Sequence, residues 1–353
     1  MRLIHVKNLS PDMKLAKPIY DDDNNLLVNI HCKNIHKYKE RLLNLGIKHI
    51  YIEDEKSENI EVENVVSSDL KRKCESAIRD TFSNIKEDKK INVKEITQNI
   101  KNLVDEILNN KNVLVNLIDI KSTDSYTFQH SVNVATLSVI LANSLNYNRK
   151  QLVKIGTGAI LHDVGKLAIP EEILKKPSKL NNQEYKIIKE HPSLGYKNTK
   201  NNHQISPLSR VIILYHHEQV NGEGYPDGLV KEDIHEFARL VSVADVFDAL
   251  TSDRCYRDRW SARKAIDFLI SKSGTKFDTE FVREFMKNIA IFPNGTAVKL
   301  NTGQKALIKE QNKEAPARPV IKIITDEQGN ELDEYKTINL MNKLNIVIEN
   351  ELT

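Results

Sequence analysis

The chain has 353 residues, 40% hydrophobic and 29% charged, the mixture of a folded protein with room for two or three domains. Its 52 basic and 49 acidic residues leave a formal charge of only +3, too balanced for a nucleic acid polymer as a bulk partner. Cys32, Cys74 and Cys255 are widely spaced and form no CxxC pair, so neither a disulfide framework nor a thiolate zinc site is expected. Pro and charge come too early in the first twenty residues for a signal peptide, and no later run is long and apolar enough to span a bilayer. The expectation is a cytoplasmic protein without direct membrane insertion.

In chain order, short apolar stretches at 3–6 and 15–19 are separated by the turn Ser10-Pro11-Asp12, and the polar run 21–25 leads into a candidate strand at 26–30. Ile35, Tyr38, Leu42 and Leu45 repeat at helical spacing from His31 until Gly46, and 47–52 alternates as a strand. These pieces predict a small α/β unit over 1–64. Its histidines, His5, His31, His36 and His49, have no acidic or cysteine partners at ligand spacing and read as surface or structural groups. Residues 65–112 predict two helices divided by the charged stretch 86–90. Their apolar stripe suits a hairpin, a connector between domains or a homodimer surface.

A helical core domain is expected over 113–293, with helices at 128–145, 151–161, 181–196, 207–217, 237–251, 261–270 and 278–285. After Pro293-Asn294-Gly295 the pattern changes to β-prone pieces at 297–300, 305–309, 319–325 and 344–348, divided by turn residues. The whole reads as a multidomain chain: an all-α core, a small N-terminal α/β unit with connecting helices, and a small β-rich C-terminal unit over 294–353.

The chemistry concentrates between His130 and Asp245. His130, His162, Asp163, His191, His216, His217 and Asp245 sit in otherwise apolar helical segments and account for five of the eleven histidines. Alone, His130 or His191 is more often a hydrogen-bonded helix residue, and His203 and His235 read that way. Burying all seven groups without cations would incur several desolvation penalties. Asp163 has two oxygens with which to bridge two ions while His162 binds one of them. Lys166 follows three residues later and comes near the same cleft if the helical path continues or tightens. Imidazole with carboxylate suits iron, manganese or zinc better than calcium. Seven groups suit two ions, and a pair about 3.5–4 Å apart would activate a hydroxide for attack on a phosphoester.

The series His130, His162-Asp163-Val164-Gly165-Lys166, His191, His216-His217-Glu218, Asn221-Gly222-Glu223-Gly224-Tyr225-Pro226 and Asp245 resembles the HD-GYP family of HD phosphohydrolases over about residues 113 to 290. The resemblance implies a cyclic di-GMP phosphodiesterase yielding pGpG and often GMP. It implies one ion on His130, His162, Asp163 and Asp245, a second on Asp163, His191, His216 and His217, and Lys166 near the scissile phosphate. Iron or manganese is expected before zinc. Some members hold a third metal through a Glu four residues before the first His; Tyr126 stands there, so two ions are expected. Tyr225 resembles the ring that contacts the ligand, and Arg254 and Arg257 resemble phosphate-binding residues. Asn221 stands where the family usually has Asp, and Cys255 where it usually has Pro; neither removes a ligand of the metal pair. Two rival readings follow: a slow or inactive cyclic-dinucleotide receptor that signals through its flanking units to a protein partner, and a hydrolase of another cyclic dinucleotide.

Overall fold

The computed structural model describes residues 1–21, 25–86, 93–110, 114, 126–176, 178–252 and 259–352. The N-terminal unit contains β1 (Arg2–His5), β2 (Lys14–Leu15), β3 (Ile19–Tyr20), β4 (Leu26–Val28), α1 (Lys39–Asn44) and β5 (His49–Glu53). β5 lies between β1 and β2, antiparallel to both, while β3 and β4 pair separately. Val6, Leu15, Ile35, Leu42, Ile50 and Ile52 close its core. The helix expected from His31 is shorter than its periodicity. Left-handed backbone at His31 and Asn34 leads into a 3-10 turn over Ile35–Tyr38 before α1 begins. Gly46, at φ 74°, closes α1 as expected.

The helical core comprises α2 (Ser68–Lys86), α3 (Lys94–Asn109), α4 (Tyr126–Ser144), α5 (Arg149–Ile160), α6 (Glu171–Leu174), α7 (Asn182–Ile188), α8 (His191–Thr199), α9 (Pro207–Tyr215), α10 (Glu236–Thr251), α11 (Ala262–Ser271) and α12 (Thr279–Met286). Side-chain caps set several of their starts: Asn148 and Gln151 form a capping box on α5, Asn181 and Glu184 form one on α7, and Ser206, Ser261 and Asp278 cap α9, α11 and α12. α4 is buried on every side from Ser131 to Ala142, so it runs through the domain rather than over it. The stripes of α2 and α3, including Cys74, Ile78, Ile96, Ile100 and Leu103, join the same apolar cluster as α4, α5, α9 and α10. Their apolar stripes are thus covered within the helical core.

One expected helix is two. The segment 181–196 breaks between α7 and α8 because Pro192 has no N–H to give the Ile188 carbonyl. α6 was not foreseen; four residues leave no measurable period.

The C-terminal unit is a five-stranded antiparallel sheet in the order β10-β6-β7-β8-β9, with β6 (Ala297–Leu300), β7 (Lys305–Glu310), β8 (Val320–Thr325), β9 (Glu331–Asn339) and β10 (Ile348–Leu352). β9 escaped the sequence reading because, as an edge strand that is mostly exposed or half-buried, it shows no apolar alternation. The last strand lies four residues later than expected at its start. The two terminal units touch. The Leu3 amide donates to the Gly295 carbonyl (3.0 Å), Lys56 pairs with Glu331 (2.7 Å), and Ile60 packs with Leu307 and Ile324. Among the described residues no helix is long and apolar enough to cross a membrane.

The Val164–Ala168 turn lies directly on α8. A Cβ at Gly165 would run into the His191 carbonyl and the Gly195 amide, both backbone groups that cannot rotate away. Gly165→Ala is therefore expected to destabilise the fold by about 3 kcal/mol or more, read as a lowered denaturation midpoint in urea.

Candidate metal centre

His130 lies on α4, His162 and Asp163 just beyond α5, His191 at the first position of α8, His216 and His217 just beyond α9, and Asp245 on α10. Positions spread over 116 residues of sequence therefore meet at one point. All are buried except His217, which is half-buried. Among the described residues they form two groups, Asp163 with His191, His216 and His217, and His130 with His162 and Asp245. The candidate ligand atoms within each group lie within 4.8 Å of one another.

The rings are oriented by helix ends. Three rings turn Nδ1 to carbonyls in the last turn of a helix, of which Ala159 and Ile212 also accept the histidine's own backbone amide. His162 Nδ1 donates to the Ala159 carbonyl (2.7 Å) at the end of α5. His191 Nδ1 donates to Ile188 (2.7 Å), the carbonyl that Pro192 cannot serve. His216 Nδ1 donates to Ile212 and Ile213 (3.2 and 3.1 Å) in the last turn of α9. Each bond fixes the tautomer and leaves the Nε2 lone pair as the free donor. Three helix C-termini, each carrying partial negative charge, thus converge on the cleft.

Asp163 joins the two groups. Its Oδ1 lies 3.3 Å from His191 Nε2 and its Oδ2 3.3 Å from His162 Nε2, so one carboxylate faces both sides. Asp245 Oδ1 lies 3.1 Å from His130 Nε2 and 3.7 Å from His162 Nε2, and its Oδ2 lies 3.9 Å from His217 Nδ1.

The protonation pattern is that of a cation site. Burial lowers His191 to about 3 and His217 to about 4, and holds His216 well below the usual imidazole range, so these rings are neutral and carry free lone pairs. Burial opposes ionisation of Asp163, yet His162 and Lys166 outweigh it and hold the carboxyl well below its ordinary range. Asp245 is lowered likewise, against its burial, chiefly by the His130 hydrogen bond. His130 shows the reverse effect: burial disfavours its charge, but Asp245 and Asp248 push it up to about 9. The side chains alone draw a positive charge into this place. His162 Nε2 and Asp163 Oδ1 are buried and make no hydrogen bond, a costly state for polar atoms that a cation would relieve. The donor set fits two metal ions.

Around this floor the chain arranges a rim. Lys166 follows the tightened path and donates to Asp163 Oδ2 (2.5 Å) while its side chain stays 31% exposed. Tyr225 lies over His217, with ring centroids 4.8 Å apart and a tilt of 30°. Asn221 braces its own turn: its Oδ1 accepts from the Glu223 amide (3.1 Å) and its Nδ2 donates to Glu223 Oε2 (2.9 Å). Arg254, Arg257 and Cys255 lie outside the described residues, as does the side chain of Tyr126. His235 caps α10 through Nδ1.

Asp248 was not singled out in the sequence, and Glu218, quoted there beside His216 and His217, was given no role. Asp248, buried on α10, accepts from His130 Nδ1 (2.8 Å), Asn133 Nδ2 (2.9 Å) and Ser252 Oγ (3.2 Å). Its spacing from Asp245, one helical turn, was the available signal. Glu218, also buried, accepts from the amides of Asp227, Gly228 and Leu229 (2.7, 3.0 and 3.0 Å) and so anchors the loop that carries Tyr225. No periodicity announces it, because its partners are backbone groups.

Comparison with known proteins bears on the same segment. An HD domain model matches residues 102–281, and a model of a KOW domain associated with HD domains matches 297–353. A cyclic di-GMP phosphodiesterase of Pseudomonas aeruginosa, PA4108, is 38% identical over 231 residues, 64% of this chain and 56% of that protein. The cyclic di-GMP phosphodiesterase response regulator RpfG of Xanthomonas campestris is 40% identical over 152 residues, 43% of this chain and 40% of its own. A 3'3'-cGAMP-specific phosphodiesterase (number 2) of Vibrio cholerae is 32% identical over 193 residues, 54% of this chain and 37% of its own. The chain spans about half the length of the curated relatives it matches. Among solved structures, Bd1817, an HDG"Y"P protein from Bdellovibrio bacteriovorus, covers 80% of this chain and 97% of its own with a TM-score of 0.53 at 20% identity, a likeness of fold. With its helical core matched over half the chain and its histidines and aspartates gathered in two groups, the chain belongs to the HD domain family and has an HD-GYP-like metal-dependent phosphohydrolase fold.

Proposed function

We propose that the chain is a phosphodiesterase that opens cyclic di-GMP to pGpG, with GMP as the product of a second hydrolysis. The observation that carries this reading is Asp163, one carboxylate whose two oxygens face two separate donor groups. His130, His162, Asp163 and Asp245 would hold one transition-metal ion, and Asp163, His191, His216 and His217 the other, iron or manganese before zinc. Such a pair supplies charge stabilisation for phosphoryl oxygens and acidifies water at neutral pH.

The side chains do the rest. Lys166 holds its ammonium beside Asp163 and offsets negative charge that builds on the phosphoryl group. Tyr225 walls the cleft over His217 and is proposed to contact the ligand. Arg254 and Arg257 are proposed as phosphate contacts. In hydrolysis a water oxygen bonds to phosphorus, the bond from phosphorus to the ribose 3′ oxygen breaks, and that oxygen takes up a proton. The flanking units at 1–64 and 294–353 are proposed as sensing or docking modules. The relatives named for cyclic di-GMP support the substrate. A relative named for 3'3'-cGAMP, of comparable identity, supports a second reading in which the same cleft opens a mixed cyclic dinucleotide.

The deciding experiment uses the full chain purified without chelator and loaded with iron or manganese, with metal per chain measured and products of each cyclic dinucleotide separated by chromatography. Multiple turnovers to pGpG are expected. Tight binding without turnover would favour a receptor, and faster opening of the mixed dinucleotide would favour the second reading. Asp163→Ala should lower turnover by about a thousandfold or more and reduce the metal content of the folded protein. Asp248→Asn removes the charge behind His130 and should weaken metal affinity by about 10–100-fold in a chelator competition titration. Glu218→Gln withdraws a carboxylate from three amides and should lower unfolding free energy by about 1–3 kcal/mol while raising KM.

A further inference from the structure

Lys189 occupies the break between α7 and α8, two residues before His191. Its ammonium lies 4.9 Å from the centroid of the Tyr185 ring and 5.1 Å from that of Tyr225. Tyr185 is one helical turn earlier on α7 and 48% exposed, whereas Tyr225 comes from the loop anchored by Glu218 and lies over His217. Two rings from different elements therefore hold one cation at the outer edge of the metal centre. Among the described residues no carboxylate forms an ion pair with Lys189. Its charge is thus uncancelled, and the rings restrict the wandering that a lysine at a surface normally has. Lys166, by contrast, is already engaged with Asp163 on the floor.

A ligand with two phosphates that brings one to the floor holds the other several ångströms away, within reach of the rim that Tyr225 and Lys189 form beside His217. We propose that Lys189, held between Tyr185 and Tyr225, binds this second, non-reacting phosphate and so favours a cyclic dinucleotide over a substrate with a single phosphodiester. The inference rests on the cyclic-dinucleotide reading above and adds to it a residue that sets specificity. Lys189 contributes ground-state binding as well as alignment, so its loss raises KM far more than it lowers kcat.

The test compares cyclic di-GMP with bis(p-nitrophenyl) phosphate, which has one phosphate and no base, on the manganese-loaded full chain. It also measures binding of fluorescently labelled cyclic di-GMP by anisotropy. Lys189→Met is expected to raise KM and Kd for the cyclic dinucleotide about tenfold, with kcat and bis(p-nitrophenyl) phosphate turnover within about twofold of the parent. Lys189→Arg should restore most of the affinity, and Tyr185→Phe, which keeps the ring, should resemble the parent while Tyr185→Ala does not. Unchanged KM in Lys189→Met, or an equal loss on both substrates, would overturn the role of Lys189. A parent that cleaves bis(p-nitrophenyl) phosphate but neither binds nor opens a cyclic dinucleotide would overturn the substrate reading itself, and Lys189's role with it.

Discussion

An imidazole tied at Nδ1 to a helix carbonyl has only Nε2 left to offer, and much of the metal centre follows from that constraint. His162, His191 and His216 each stand at or just past a helix end and turn Nδ1 to a last-turn carbonyl, so the helix end aims the ring. The same geometry turns three helix C-termini toward the cleft and adds their partial charge to that of Asp163 and Asp245. Orientation, tautomer and field of these three rings thus have a common origin in helix ends. His130 sits within a helix instead, and Asp248 supplies the acceptor that a helix end would have given.

Close backbone approach holds these ends together. Gly165 lies against His191 and Gly195, which joins the turn carrying Asp163 and Lys166 to the start of α8. Gly224 lies against Glu218 in the same fashion, and Glu218 in turn gathers the amides beyond Tyr225. Floor and rim are consequently fastened to the same short segments. The floor stands on packed helices, five of its seven groups at helix ends and His130 and Asp245 within α4 and α10, and the rim stands on a loop and on the break between α7 and α8. That division suits a site whose metal-binding groups must be fixed while the surrounding groups admit a ligand.

The β-rich C-terminal unit meets the N-terminal unit through the Leu3 to Gly295 bond, the Lys56 to Glu331 pair and the small cluster around Ile60. The histidine and aspartate groups draw on neither unit. Chemistry and flanking contacts are therefore carried by separate parts of the chain.

The sequence by itself determined the helical character of the core, the three-part organisation and the identity of the seven converging side chains, because apolar periodicity and ligand chemistry are both local in residue type. It also indicated that Lys166 would approach Asp163, since three residues of tightened helix bring them together. It could not decide that residues 181–196 form two helices, that β9 exists as a polar edge strand, or that α2 and α3 cover their stripes within the core. Each depends on what a segment packs against. Nor could it reveal the place of Asp248 behind His130, the amides that Glu218 gathers or the meeting of Lys189 with Tyr225. Those roles arise where elements distant in sequence come into contact, and only the tertiary structure fixes which carbonyl, amide or ring each side chain finds.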